Sequence, residues 1–320
     1  FKTVVESVEP INTNGHTLWA VHVVDFLWGF RYTEIFNKVC ICTGHFTTPY
    51  IPPDLNFEKY SGKIFHSKYY RIPDTFKNQI VAIIGAGPSG IDISHDVASS
   101  AKIVYICHNK NREFLPFPGN VIQKPKVESL TKNGIALVNG EIINVDSIIV
   151  ATGYKYDFPF LKNVKISTEE NLVRPLYKQL IHVDYPDSLF FVGLQRQVPQ
   201  GHMAHVQSKY ILNHLKHQQL NGKSIQFYKE KENADTLRCL DQKILPRKIY
   251  KLGMRFREYT RDLETEAGLD KKDRVPEVVL NIFEDVISTH DVCTLREFDY
   301  HVENEKDFQK LHRNVTKSTE

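Results

Sequence analysis

The chain has 320 residues, 41% of them hydrophobic and 25% charged, and its 41 Lys and Arg against 38 Asp and Glu leave a formal charge of +3. At roughly 150 residues per domain this length suggests two domains, and so balanced a charge gives no footing for nucleic acid as a partner. No run of about eighteen apolar residues occurs, so no transmembrane segment is expected. The five cysteines (Cys40, Cys42, Cys107, Cys239, Cys293) are odd in number and include no C-x-x-C pair, which argues against a disulfide framework, a metal site and a redox dithiol.

The sequence opens on Phe1 without a basic n-region or apolar h-region and reads as a piece of a longer polypeptide in a reducing compartment. Residues 1–8 and 17–24, rich in Val, Thr and aromatic side chains around the turn residues 9–15, predict an antiparallel hairpin. The run 37–43 (NKVCICT) before Gly44 predicts a strand buried on both faces, with Cys40 and Cys42 as buried hydrophobes. Pro49, Pro52 and Pro53 then read as a linker. Residues 79–84 (QIVAII) predict a buried strand, 85–90 a glycine turn, 89–99 a helix and 102–107 (KIVYIC) a second strand, the order of a βαβ unit. The Pro-, Asn- and Lys-rich stretch 108–126 reads as a long functional loop. Residues 134–138 and 141–145 flank Asn139-Gly140, a favoured hairpin turn, and 147–151 is another buried strand. Beyond lie a strand at 188–194, helices at 203–220, 249–263 and 276–289, and a polar tail, 304–320, expected to fray.

Gly85-Ala86-Gly87-Pro88-Ser89-Gly90 is G-x-G-x-x-G between a predicted strand and helix. The first glycine permits the turn, the second lets a pyrophosphate approach the backbone, and the third lets helix and strand pack closely. The end of the second strand reads Cys107-His108-Asn109-Lys110-Asn111-Arg112, with no acid to bind a ribose 2′-hydroxyl. That favours NADP, with Lys110, Arg112 and, more weakly, His108 as 2′-phosphate partners; a solvated loop face is the alternative for each. Cys42-Thr43-Gly44 and Ala151-Thr152-Gly153 each follow a predicted buried strand. As a pair they suggest a nucleotide module inserted into another domain, with Thr43, Gly44, Thr152 and Gly153 passing close to bound cofactor.

Residues 60–70 (YSGKIFHSKYY) follow the spacing aromatic-x-Gly-x3-His-x3-Tyr ahead of this fingerprint. The segment resembles the F-x-G-x3-H-x3-Y motif of the flavin-containing monooxygenases, with Tyr60 where Phe is usual, and Tyr70 is similar to the N- and S-oxygenating branch. CTGHF at 42–46, IPP at 51–53, ATGY at 151–154 and PLYK at 175–178 resemble the same family, which accounts for the chain to about Leu215. The resemblance implies an α/β fold of two nested dinucleotide-binding (Rossmann-like) modules with a helical C-terminal region. The expected division is 1–65 as the remnant of an FAD domain, 66–153 as an inserted NADP-binding domain, 154–235 as the return to the FAD domain and 236–320 as the helical region. It also implies FAD and NADP as cofactors, O2 as co-substrate, and oxygenation of a small amine or sulfide through a C4a-hydroperoxyflavin, in cytoplasm or peripherally at the endoplasmic reticulum. The family's first G-x-G-x-x-G, for the FAD pyrophosphate, is expected ahead of Phe1.

His66 and Tyr70 are candidates through the motif, but His66 reads first as a core residue that holds a turn and Tyr70 as a packing residue. Gln195 and Gln207 are implied to lie against the flavin, with surface helix positions as the alternative. The sequon at Asn314 reads as a chance match. A pyridine nucleotide-disulfide reductase and a non-catalytic NADP-binding module or fragment are the competing functions.

Overall fold

The computed structural model describes residues 2–13, 16–109, 117–289 and 298–313. It divides into two compact units, one combining the chain up to Thr47 with Tyr156–Ser288 and the other built on Thr48–Lys155. Among the described residues no helix is long and apolar enough to cross a membrane.

The first unit opens with β1 (Thr3–Thr13), β2 (His16–Asp25) and β3 (Arg31–Phe36), an antiparallel meander, followed by β4 (Val39–Ile41). The predicted hairpin is therefore longer than its pattern: β1 runs through Pro10 and Ile11, and Asp25 turns the chain into a third strand by accepting from the Leu27 and Trp28 amides. Trp19, Val8 and Val23 are buried, whereas every residue of β3 is exposed.

The second unit contains β5 (Thr48–Pro49), β6 (Lys63–His66), β7 (Ile80–Ile84), α1 (Pro88–Ala98), β8 (Ile103–Cys107), β9 (Val121–Lys124), β10 (Val127–Thr131), β11 (Gly134–Leu137), β12 (Ile142–Asn144), β13 (Ser147–Val150) and β14 (Tyr154–Lys155). A five-stranded parallel sheet runs β6-β13-β7-β8-β9. Both its faces are covered, which is why its strands are continuous apolar runs. Ala82, Ile84, Ile148 and Val150 face the β10–β12 meander, while Val81, Ile83, Val104, Ile106 and Ile149 pack with Ile91 and Val97 of α1. The loop expected over 108–126 is corrected by β9, a strand whose Gln123 and Lys124 hide the apolar signal.

The first unit resumes with β15 (Leu176–Tyr177), β16 (Ile181–His182), β17 (Leu189–Phe191), α2 (Gln200–Asn221), α3 (Ile225–Asp241), α4 (Phe256–Glu266) and α5 (Glu277–Thr289). β4 pairs in parallel with β17 at the edge of the sheet β15-β16-β17-β4. Within the described chain Ile41 is buried, whereas Cys40 and Cys42, expected to be buried, are exposed on this edge. α3 is absent from the sequence reading because only Tyr228 and Glu232 of its seventeen residues are buried. It is held by Ser224, which caps the Phe227 amide, and by the paired Arg174 and Glu232. β18 (Phe298–Val302) and β19 (Phe308–His312) form a two-stranded sheet, and β19 lies inside the 304–320 tail expected to fray. The sequon at Asn314 lies outside the described residues.

Candidate functional site

The glycine turn of 85–90 leaves β7 and enters α1. Gly85 donates to the Cys107 carbonyl at 2.9 Å, tying the end of β7 to that of β8. It adopts φ +108°, and a Cβ there would lie 2.6 Å from the Ala151 carbonyl oxygen. A Cβ on Gly90 would lie 2.0 Å from the Gly85 oxygen, so α1 meets the strand end at a separation that glycine alone permits. Gly87 differs: a Cβ there would meet nothing within 4 Å. It is the N-cap of α1 and supplies no side-chain cap, and Pro88 takes the first helical position. Uncapped amides at a helix N-terminus, beside a glycine with free space, suit an anion such as a dinucleotide pyrophosphate.

The Tyr60 to Tyr70 segment braces this turn. Tyr60 is buried, donates from its hydroxyl to the Val145 carbonyl at 2.8 Å, and lies over Gly62, where a Cβ would fall within 2.7 Å of three atoms of the tyrosine side chain. The aromatic-x-Gly spacing is thus a ring seated on a bare backbone. His66 Nδ1 accepts from the Lys68 amide at 3.1 Å, which leaves the proton on Nε2 to donate to the Gly153 carbonyl at 3.1 Å. Burial, with the nearby Lys68 charge, holds this imidazole below the ordinary histidine pKa. The Gly153 carbonyl also accepts from the Tyr50 amide at 2.9 Å, and Thr152 Oγ1 donates to the Tyr50 carbonyl at 2.6 Å. Tyr70 donates to Asp96 of α1 at 2.5 Å and stacks on Phe76.

At the end of β8, His108 Nε2 and Gln123 Oε1 are 3.0 Å apart. Lys124, beside Cys107 in the parallel register, pairs with Glu141 at 2.5 Å and lies over the Tyr105 ring. Lys110 and Arg112 lie outside the described residues.

In the first unit Thr43 and Gly44 follow β4, and Gly44 takes φ +71°. His45, 8% exposed, donates through Nδ1 to the Gly193 carbonyl at 3.1 Å. Burial depresses its pKa. The Gly193 amide donates to Gln207 Oε1 at 2.9 Å, which turns Gln207 Nε2 toward Gln195 Oε1 at 2.7 Å and leaves Gln195 Nε2 for Gln179 and the Tyr259 hydroxyl. A single backbone donor thereby orients a chain of amides. Both glutamines have zero exposure, so the surface alternative is overturned. Sequence reasoning missed Tyr259, Gln179, His45 and Asp96, whose partners lie too far along the chain for a local pattern to show them.

A model of the family described as flavin-binding monooxygenase-like matches residues 1–114 and 112–219. The chain belongs to this family. Flavin-containing monooxygenase FMO GS-OX1 of Arabidopsis thaliana is 38% identical over 218 residues, which are 66% of this chain and 46% of that protein. Senecionine N-oxygenase of Tyria jacobaeae is 31% identical over 290 residues, 88% of this chain and 62% of that protein. The latter match reaches beyond Leu215, where the family resemblance in the sequence thins. The structure of S-allyl-L-cysteine S-oxygenase from Allium sativum superposes with a TM-score of 0.78 at 28% identity, covering 89% of this chain and 64% of that one. This flavin-binding monooxygenase-like chain therefore shares a mixed α/β fold with a solved oxygenase, and it spans about half to two thirds of the length of these relatives.

Proposed function

We propose that this chain carries the NADP-binding module, and part of the flavin-facing module, of an NADPH- and O2-dependent monooxygenase acting on soft nucleophiles, amine nitrogen or thioether sulfur. The observation that carries the reading is the free space at Gly87 between two glycines packed too closely for any side chain. In this reading the amides of Ala86, Gly87, Ser89 and Gly90 hold the pyrophosphate, and His108, Lys110 and Arg112 hold the 2′-phosphate. The antiparallel pairing of Tyr154 with Pro49 and Lys155 with Thr48 supports an inserted module whose entry and exit lie side by side.

Thr43, Gly44, Thr152 and Gly153 are the backbone turns proposed to pass near the cofactors. Gln207 and Gln195 shape the Gly193 strand end toward the flavin. His66, neutral and engaged at both nitrogens, is a positioning residue for the Gly153 loop. FAD, when bound, takes hydride from the nicotinamide and activates O2 for transfer of one oxygen atom; the protein contributes alignment and exclusion of water. The N- and S-oxygenases among the relatives support the substrate class.

The reading is tested on the full-length, FAD-loaded protein by NADPH-driven oxygen uptake that depends on an added tertiary amine or thioether. A flavin that stays oxidised under anaerobic NADPH overturns it.

A further inference from the structure

The connection from β15 to β16 opens with Lys178 and Gln179, both in the left-handed region at φ +50° and +57°, and the Leu180 amide donates across them to the Tyr177 carbonyl at 3.0 Å. Successive residues at positive φ in a tight turn ordinarily call for Asn or Gly, because a Cβ is costly there. Lys and Gln are kept in this conformation by groups outside the turn. Tyr259, Asp262 and Glu266 share one face of α4. The Tyr259 hydroxyl donates to the Lys178 carbonyl at 2.8 Å, and Lys178 Nζ pairs with Asp262 at 2.5 Å and Glu266 at 2.9 Å.

The same hydroxyl is where the chain of amides from Gly193 ends. The Gly193 N–H makes Gln207 Oε1 an acceptor, so Gln207 Nε2 donates to Tyr259 at 3.2 Å, and Gln195 Nε2 donates to it at 3.3 Å. Tyr259 thus accepts from two amides and gives its one hydrogen to a backbone carbonyl. A backbone donor at one end and a backbone acceptor at the other fix every direction in the chain, with no choice of tautomer or charge state. Both glutamines have zero exposure, and all of these residues belong to the first unit. The Gly193 carbonyl accepts from His45, which ties the same strand end to the turn at Thr43 and Gly44.

We propose that Tyr259 is a positioning residue for the flavin-side strand end at Gly193, acting through Gln207 and Gln195 and anchored on the Lys178 carbonyl. With the hydroxyl in place, both glutamine amides are held in the one orientation that captures the Gly193 N–H. Without it, two amide N–H groups and the Lys178 carbonyl lose a partner, and the glutamines are free to rotate. The helical region beyond Leu215, where the family resemblance thins, thereby takes part in shaping the cofactor side of the first unit. That this strand end faces the flavin rests on the oxygenase reading; that Tyr259 holds its amide does not.

The test has two arms, both on the full-length protein. Amide hydrogen exchange should show Gly193 in the unsubstituted protein exchanging as slowly as Val192, whose amide donates to the Ile41 carbonyl at 2.9 Å. In Tyr259→Phe the Gly193 amide should exchange at least about tenfold faster while Phe191 and Val192 are unchanged, a selective loss that a general fall in stability does not produce. In the FAD-loaded protein, Tyr259→Phe should lower the limiting rate of anaerobic flavin reduction by NADPH at least about tenfold and leave the Kd for NADPH unchanged, because alignment and not binding is altered. Rapid Gly193 exchange in the unsubstituted protein, which needs no variant to fold, would overturn the positioning role. So would unchanged Gly193 exchange in Tyr259→Phe or an equal acceleration along the whole of β17. Equal reduction rates in the two proteins would overturn the flavin-side role. An unsubstituted flavin that stays oxidised counts against the oxygenase reading instead, and the exchange arm then decides the role of Tyr259 by itself.

Discussion

Gly90 meets Gly85 so closely that a Cβ on Gly90 would lie 2.0 Å from the Gly85 carbonyl oxygen, whereas the Cβ position of Gly87, three residues earlier, is open to 4 Å. The three glycines of one fingerprint thus answer to different constraints. Gly90→Ala must push α1 from the sheet and is expected to cost on the order of 3 kcal/mol in urea unfolding. Gly87→Ala should change stability by less than about 1 kcal/mol. It should nevertheless weaken NADPH binding at least about tenfold, a loss of about 1.4 kcal/mol. Equal stability losses in the two variants would contradict this division.

Tyr60 stands where the related motif has Phe, and its hydroxyl donates to the Val145 carbonyl. Tyr60→Phe leaves the ring over Gly62 and removes one hydrogen bond, so a loss of about 1 kcal/mol is expected from denaturant midpoints. A neutral result would mean that the hydroxyl adds nothing to the brace.

Gln207 satisfies both the Gly193 amide and the Gln195 side chain at a site with no exposure. Gln207→Leu strands these groups and should destabilise the first unit by about 2 to 4 kcal/mol. Hydrogen exchange at the Gly193 amide should accelerate with it. Unchanged protection of that amide would show that Gln207 is not its essential partner.

Four histidines, His45, His66, His182 and His214, are held below the ordinary pKa by burial. Above about pH 6.5 they are neutral both folded and unfolded and contribute no pH dependence. Below it the unfolded chain binds protons that the folded chain refuses, so stability present above pH 6.5 is lost as pH falls toward the depressed folded values. Urea midpoints should therefore drop between pH 7.5 and 5. His182, which donates to the Lys165 carbonyl and accepts from the Asp184 amide, is fully buried. His182→Gln should flatten the slope, and an equally steep profile in the variant would contradict its share.

The sequence was most informative where one short segment meets several constraints at once. Residues 79–107 declare strand, turn, helix and strand because both faces of the parallel sheet are covered and a tight turn demands glycine. β9 and α3 escaped notice because polar residues interrupt their apolar pattern and each is held by partners distant in sequence, β9 by its register with β8 and α3 by Arg174. Cys40 and Cys42 read as core from their apolar neighbours, but exposure depends on which strand lies beside them, and β4 is an edge. The amides of Gln195 and Gln207 were singled out through the family. Their joint orientation by the Gly193 amide and Tyr259 has no local signature.

The central claim is that the turn opening at Gly85 holds a dinucleotide bearing a 2′-phosphate. Calorimetric titration of NADPH and NADH into the chain, compared with a Lys110→Ala/Arg112→Ala variant, addresses it most directly. The account predicts saturable NADPH binding that exceeds NADH binding, with the preference lost in the variant while NADH affinity is unchanged. Equal affinities for the two cofactors, or a preference that survives the double substitution, would contradict it.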